Sequence, residues 1–60
     1  MDKITDTAVN RAGGPSALAM VLGLTRQAVS KWKRVPAVHV KLVSAHSGIP
    51  PEKLRPDIFK

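Results

Sequence analysis

Sixty residues with a formal net charge of +6, 43% hydrophobic and with no cysteine, make one small domain with a marginal core, since a chain of this size buries only about 60% of its unfolded surface. Without cysteine, neither a disulfide nor a thiolate zinc site can supplement that core. No apolar run approaches the roughly 20 residues of a membrane span, and Met1-Asp-Lys-Ile-Thr-Asp lacks a signal-peptide pattern, so the expectation is a soluble, intracellular protein.

The spacing predicts a first helix from Asp2 or Lys3 to Ala12. Ile4, Ala8 and Ala12 recur at i, i+4 and i+8, with Val9 beside them, which gives one modest apolar stripe. Acids near its start and Arg11 near its end suit the helix dipole. Gly13-Gly14 ends it.

Pro15 suits the first position of a second helix, where its missing N–H costs nothing. Leu18, Ala19 and Leu22 form an inward face, and Ala19 is small enough for close helix approach. Met20 and Val21 fall partly in solvent. Gly23 follows as a turn residue with positive φ, Leu24 is the apolar residue of the turn, and Thr25 is a natural N-cap for the next helix.

The third predicted helix, about 25–34, divides sharply. At about 100° per residue, Ala28, Val29 and Trp32 fall on one side, and Val29 and Trp32 should pack against Leu18, Leu22 and Leu24. Arg26, Gln27, Ser30, Lys31 and Arg34 fall on the other, with Lys33 at the border. Arg and Lys read guanine edges, Gln reads adenine, and Ser reads either.

Charge placement agrees. The four acids, Asp2, Asp6, Glu52 and Asp57, lie near the ends; the middle holds six bases, Arg11, Arg26, Lys31, Lys33, Arg34 and Lys41, four of them within residues 26–34. A basic stripe on a structured segment is the footprint of phosphate contact. Two short helices around a glycine turn, the second basic on one face, are the layout of a helix-turn-helix whose second helix enters the DNA major groove.

Val35-Pro36 breaks the third helix. Val38-His-Val-Lys-Leu-Val43 alternates like a strand, but its only partner segment, 49–59, carries three prolines that suit a sheet poorly. Pro36 as starter and Gly48 as stop therefore bracket a fourth helix, about 36–47, with Val40 and Val43 facing the core and Leu42 flanking them. Pro51–Leu54 reads as one helical turn. Residues 55–59 read as an extended tail whose Ile58 and Phe59, with Leu54, fold back onto the core; a self-association patch at Ile58 and Phe59 is the rival reading.

No residues pair a nucleophile with a base and an orienting acid, so the chain is not read as an enzyme and no cofactor is expected. His39 and His46, seven apart, lack the three or four ligands zinc needs; they read as ordinary exposed histidines and no metal site is expected. Trp32 lies on the apolar face, which makes it core rather than a stacking platform for single strands. A third helix this short, with its apolar face already used, is a poor membrane-surface element.

The pattern Ala19-x3-Gly23-x5-Val29-Ser30-x-Trp32 resembles the Cro and repressor type of helix-turn-helix. From about Ala12 to Phe59 the chain is similar to the YdaS-like antitoxin and Cro-type regulators of phages and prophages, through Leu22-Gly-x-x-Arg-Gln-Ala-Val-Ser-x-Trp32, the Val35-Pro36 break and the Leu54-Arg-Pro-Asp-Ile-Phe59 ending. The resemblance implies an all-α, compact bundle of about five short helices containing a helix-turn-helix, a lambda-repressor-like DNA-binding domain, that binds a double-stranded DNA operator in the cytoplasm. It implies base contacts from Arg26, Gln27, Ser30 and Lys31. Pro15 stands where the family commonly places a phosphate-binding Gln, and Ser16 with the free N–H groups behind it is the replacement. Thr25, Lys33, Arg34 and Lys41 are the further phosphate candidates. A repressor on an inverted repeat is the first reading. A protein neutralising a toxin partner and a nonspecific nucleic-acid binder are the alternatives. No dimer strand or long coiled coil is legible, so a homodimer, including one formed only on DNA, stays open.

Overall fold

Asp2 starts the first helix by accepting the Thr5 N–H on its Oδ1 at 2.9 Å, satisfying one of the donors a helix leaves free at its start. In the computed structural model, which describes residues 1–59, α1 runs Lys3–Arg11 and buries Thr5, Ala8 and Val9. Two glycines at φ +102° and +97° turn the chain, and α2 follows at Pro15–Leu22 with Pro15 in its first turn. Gly23, at φ +71°, ends α2: the Leu24 N–H reaches the Ala19 carbonyl at 2.8 Å and the Gly23 N–H the Met20 carbonyl at 3.4 Å, the paired closure that a left-handed residue permits.

The third helix, α3, is shorter than its periodicity predicts. It spans Arg26–Ser30, not 25–34. Its last turn tightens through a Trp32 N–H to Val29 carbonyl bond of 3.1 Å. Beyond it the chain is held by other partners: the Lys33 carbonyl accepts from the Asp2 N–H at 2.7 Å, and the Val35 carbonyl accepts from Arg55 Nη1 at 2.9 Å. Pro36 denies Val35 helical geometry, and Val35 is fully buried.

The predicted fourth helix is present within its expected bounds but divided. A 3-10 turn, Ala37–His39, leads into α4, Val40–Ser47, which Gly48 ends at φ +75°. Helix α5, Pro51–Leu54, is the expected single turn. The tail is not extended: the N–H groups of Ile58 and Phe59 both donate to the Arg55 carbonyl, at 3.1 and 2.9 Å, because Arg55 grips Asp57 and closes the turn. Phe59 packs partly against the core, while Ile58 stays 46% exposed and does not join it.

This is an all-α bundle of five helices with no strand among the described residues. Leu18, Val29, Val35, Val40, Val43 and Leu54 form its fully buried centre, joined by Ala8, Val9, Ala19 and Ile49. Each such aliphatic side chain contributes about 1.5–3 kcal/mol relative to an exposed one. Leu42 is half exposed, as a flanking position is, and Met20 is almost entirely in solvent. Helix α2 packs mostly on α3, and α1 mostly on α4. The bundle is therefore a helix-turn-helix pair set on an α1–α4–α5 base.

Candidate nucleic-acid interface

Thr25 positions α3. Its Oγ1 accepts the Ala28 N–H at 3.2 Å, and its backbone is extended at the entry to the helix. Val29, fully buried, pins the helix inward, with Ala28 and Trp32 half-buried beside it. Arg26, Gln27, Ser30 and Lys31 are all exposed, and Lys31 caps the C-terminal end of the helix. All four expected base-reading side chains stand in solvent with no hydrogen-bond or ion-pair partner among the described residues, so the α3 surface offers cationic, amide and hydroxyl groups to an external ligand.

The five phosphate candidates are exposed too but are not equivalent. Ser16 stands in the first turn of α2, where the opening N–H groups of a helix lack intrahelical partners. Thr25 has already used an oxygen lone pair on its own helix. Lys33 and Arg34 leave the helix and sit in the loop that follows it, against the expectation that Arg34 lies on its exposed face and Lys33 at the border. Arg34 comes within 4.0 Å of Asp57, so part of its charge is countered. Lys41 stands on α4, which packs on α1 and α5 rather than on α3.

Behind this surface lies a brace that the sequence did not reveal. Arg55 donates from Nε and Nη2 to the two carboxylate oxygens of Asp57, at 3.0 and 2.8 Å, and from Nη1 to the Val35 carbonyl. The Asp57 carboxyl is pulled down to about 2, first by the hydrogen bonds from Arg55 and further by the Arg55 and Arg34 charges; the Arg55 guanidinium is raised by the same contact. The i, i+2 placement of opposite charges around Pro56 was the available signal. A second brace joins Trp32 to His39, whose rings stack at 5.9 Å and 20°. His39 is therefore half-buried against the indole and not an ordinary exposed histidine, while His46 is exposed. Among the described residues no three His, Cys, Asp or Glu side chains stand together to hold a metal ion, and no helix is long and apolar enough to cross a membrane.

The family model described as "Bacterial toxin YdaS" matches residues 5–60, a span that takes in the helix-turn-helix, the loop behind it and the closing tail. That description names a toxin, where the sequence resemblance pointed to YdaS-like antitoxins and Cro-type regulators. No curated protein and no solved structure matches the chain. A match over nearly the whole chain, on a helical bundle of the expected architecture, places this protein in the YdaS family.

Proposed function

We propose that this protein is a sequence-specific, double-stranded DNA-binding transcriptional regulator, a Cro-type repressor that occupies an inverted-repeat operator with α3 in the major groove. One observation carries the reading: Arg26, Gln27, Ser30 and Lys31 are all exposed on a helix whose opposite side is held by the buried Val29. Those side chains have the donors and acceptors that distinguish base edges, and the major groove is wide enough for a helix. Ser16, Thr25, Lys33, Arg34 and Lys41 position the domain on phosphates, contacts that fix orientation without reading sequence. One copy binds each half-site, about 34–36 Å apart, and pairing occurs on DNA. The site of action is the cytoplasm.

Fluorescence anisotropy tests this with a labelled duplex from upstream of the protein's own gene against a scrambled duplex at one near-physiological salt concentration. A preference of about 10³-fold or more is the expected result for a specific binder. Equal, steeply salt-dependent binding to both would reduce the protein to a nonspecific nucleic-acid binder.

The family description supports a second reading, in which the main partner is a protein of a toxin–antitoxin pair. Co-purification with the product of the adjacent gene tests it, and a protein that elutes alone counts against it.

A further inference from the structure

Away from the helix-turn-helix pair, a groove runs between α1 and the corner joining α4 to α5. It holds a cavity of about 230 Å³, below the roughly 300–1,000 Å³ of sites that enclose a whole small molecule but sufficient for an inserted side chain. Its apolar lining is Ile4, Ile49 and Pro50; its charged lining is Arg11 and Lys53 alone. Both cations are exposed, and neither has a carboxylate within 4.0 Å among the described residues. The acids nearest in sequence, Asp6 and Glu52, do not line it. The Thr7 hydroxyl at its edge donates to the Lys3 carbonyl at 3.0 Å, so Arg11 and Lys53 carry the polar recognition.

The adjoining cavity shares Ile4 and Lys53 but sets Asp2 and Asp57 against Arg34 and Arg55. Its excess positive charge is thus the shared Lys53 alone, whereas Arg11 and Lys53 face no acid in the first groove, so the stronger attraction for an anion lies at the Arg11 end.

We propose that this groove docks an acidic peptide segment of a partner protein, with one apolar side chain seated between Ile4 and Ile49 and carboxylates beside it paired to Arg11 and Lys53. Complementary charge selects the partner and speeds encounter, and the apolar anchor supplies the buried centre that such contacts need. Duplex DNA fits poorly, because it would set sugars and phosphates over an apolar floor. A second copy of this chain is disfavoured by the +6 charge, and its acidic and apolar segment Asp57-Ile58-Phe59 has its carboxylate already held by Arg55. The inference rests on the protein-partner reading above only in requiring such a partner, and it is independent of DNA binding.

The test is selection of a random peptide library, displayed on phage, against the immobilised full chain, with R11E/K53E and R26A/K31A variants in parallel. The expected result is recovered peptides that place Asp or Glu beside Leu, Ile or Phe. Their affinity should fall about tenfold or more on R11E/K53E and stay unchanged on R26A/K31A. In NMR spectra they should move the amide signals of Thr7, Arg11 and Ile49. A folded R11E/K53E protein is verified by circular dichroism. Recovery of no peptides, of peptides without acids, or of peptides that bind R11E/K53E equally would overturn the proposal. So would concentration-dependent self-association of the wild-type chain in sedimentation that R11E/K53E abolishes, which would make the occupant a second copy. Failure of the DNA reading would appear instead as equal operator affinity in wild type and R26A/K31A, a result the peptide selection does not touch.

Discussion

Arg55 donates to the carbonyl of Val35, twenty residues earlier, at 2.9 Å. That bond joins the end of the bundle to the loop leaving α3. The Val35 side chain is buried in the core and its carbonyl is satisfied by a guanidinium, so the chain can leave the helix without an orphaned acceptor. Arg55→Met keeps the aliphatic stem and removes all three donated hydrogen bonds. It is expected to lower the thermal unfolding midpoint by more than Asp57→Asn does, since only the first variant strands the Val35 carbonyl. Circular dichroism melts of the two variants check this.

The ion pair gives the fold an acid limit. Asp57 titrates at about 2 in the folded protein against an ordinary 3.8. Because the folded value is depressed, the stabilisation is fully present above the unfolded value and is lost as pH falls through the folded one. Urea midpoints of the wild type should therefore fall between about pH 4 and pH 2 by more than those of Asp57→Asn. Parallel pH dependence of the two proteins would show that this pair contributes nothing.

On the proposed interface, Arg26→Ala and Lys31→Ala should each weaken operator binding by about 1–3 kcal/mol and relax preference at one base position. Lys33→Ala should weaken operator and scrambled duplex alike and reduce the salt slope by about 1. Anisotropy titrations at several salt concentrations separate these behaviours. Unchanged operator affinity in both Arg26→Ala and Lys31→Ala would remove α3 from the interface.

Asp57 also lies 4.0 Å from Arg34, which makes it a competitor for any phosphate that Arg34 meets. Asp57→Ala should therefore tighten binding to all duplexes and steepen the salt slope by up to about 0.9, while lowering stability. A variant that loses both stability and affinity would mean that the brace, not Arg34, sets the binding surface.

Leu18 is fully buried where α2 meets the core. Leu18→Ala should cost about 2–5 kcal/mol, against a total of about 3–9 kcal/mol for a domain of this length. Urea unfolding should place it at or near the edge of folding at 25 °C, whereas Met20→Ala, at a position 84% exposed, should be close to neutral.

The local signals in the chain were strong where backbone chemistry is decisive. Thr25 as a cap, Pro15 as a helix start and Gly23 and Gly48 as stops are each read from one or two residues, and each is found in place. The exposed side of α3 was legible for the same reason: Val29 and Trp32 fix its inward direction. What escaped was tertiary. Val35 looked like a break before Pro36 and Ile49 drew no core assignment, yet both are buried, because a residue held extended before proline can still point inward. Arg34 looked helical, but α3 ends at Ser30 and the chain beyond it is tied by its Lys33 and Val35 carbonyls to Asp2 and Arg55. His39 carried no sign that it would stack on Trp32, since six residues of loop and turn separate them. Arg55 and Asp57 were hidden by their place in a tail that periodicity does not describe.

The Asp2 amide and the Arg55 guanidinium meet carbonyls two residues apart, at Lys33 and Val35, and residues 2 and 57 line one cavity. The path of the backbone is thus nearly a ring, fastened at the root of α3. In a ring the choice of opening is arbitrary. A covalent bridge of a few Gly and Ser residues between the two ends, with a cut between Gly13 and Gly14, would leave every helix and both fastenings intact. The reordered chain would begin at Gly14, so that the helix-turn-helix leaves the ribosome first, before the base on which it rests.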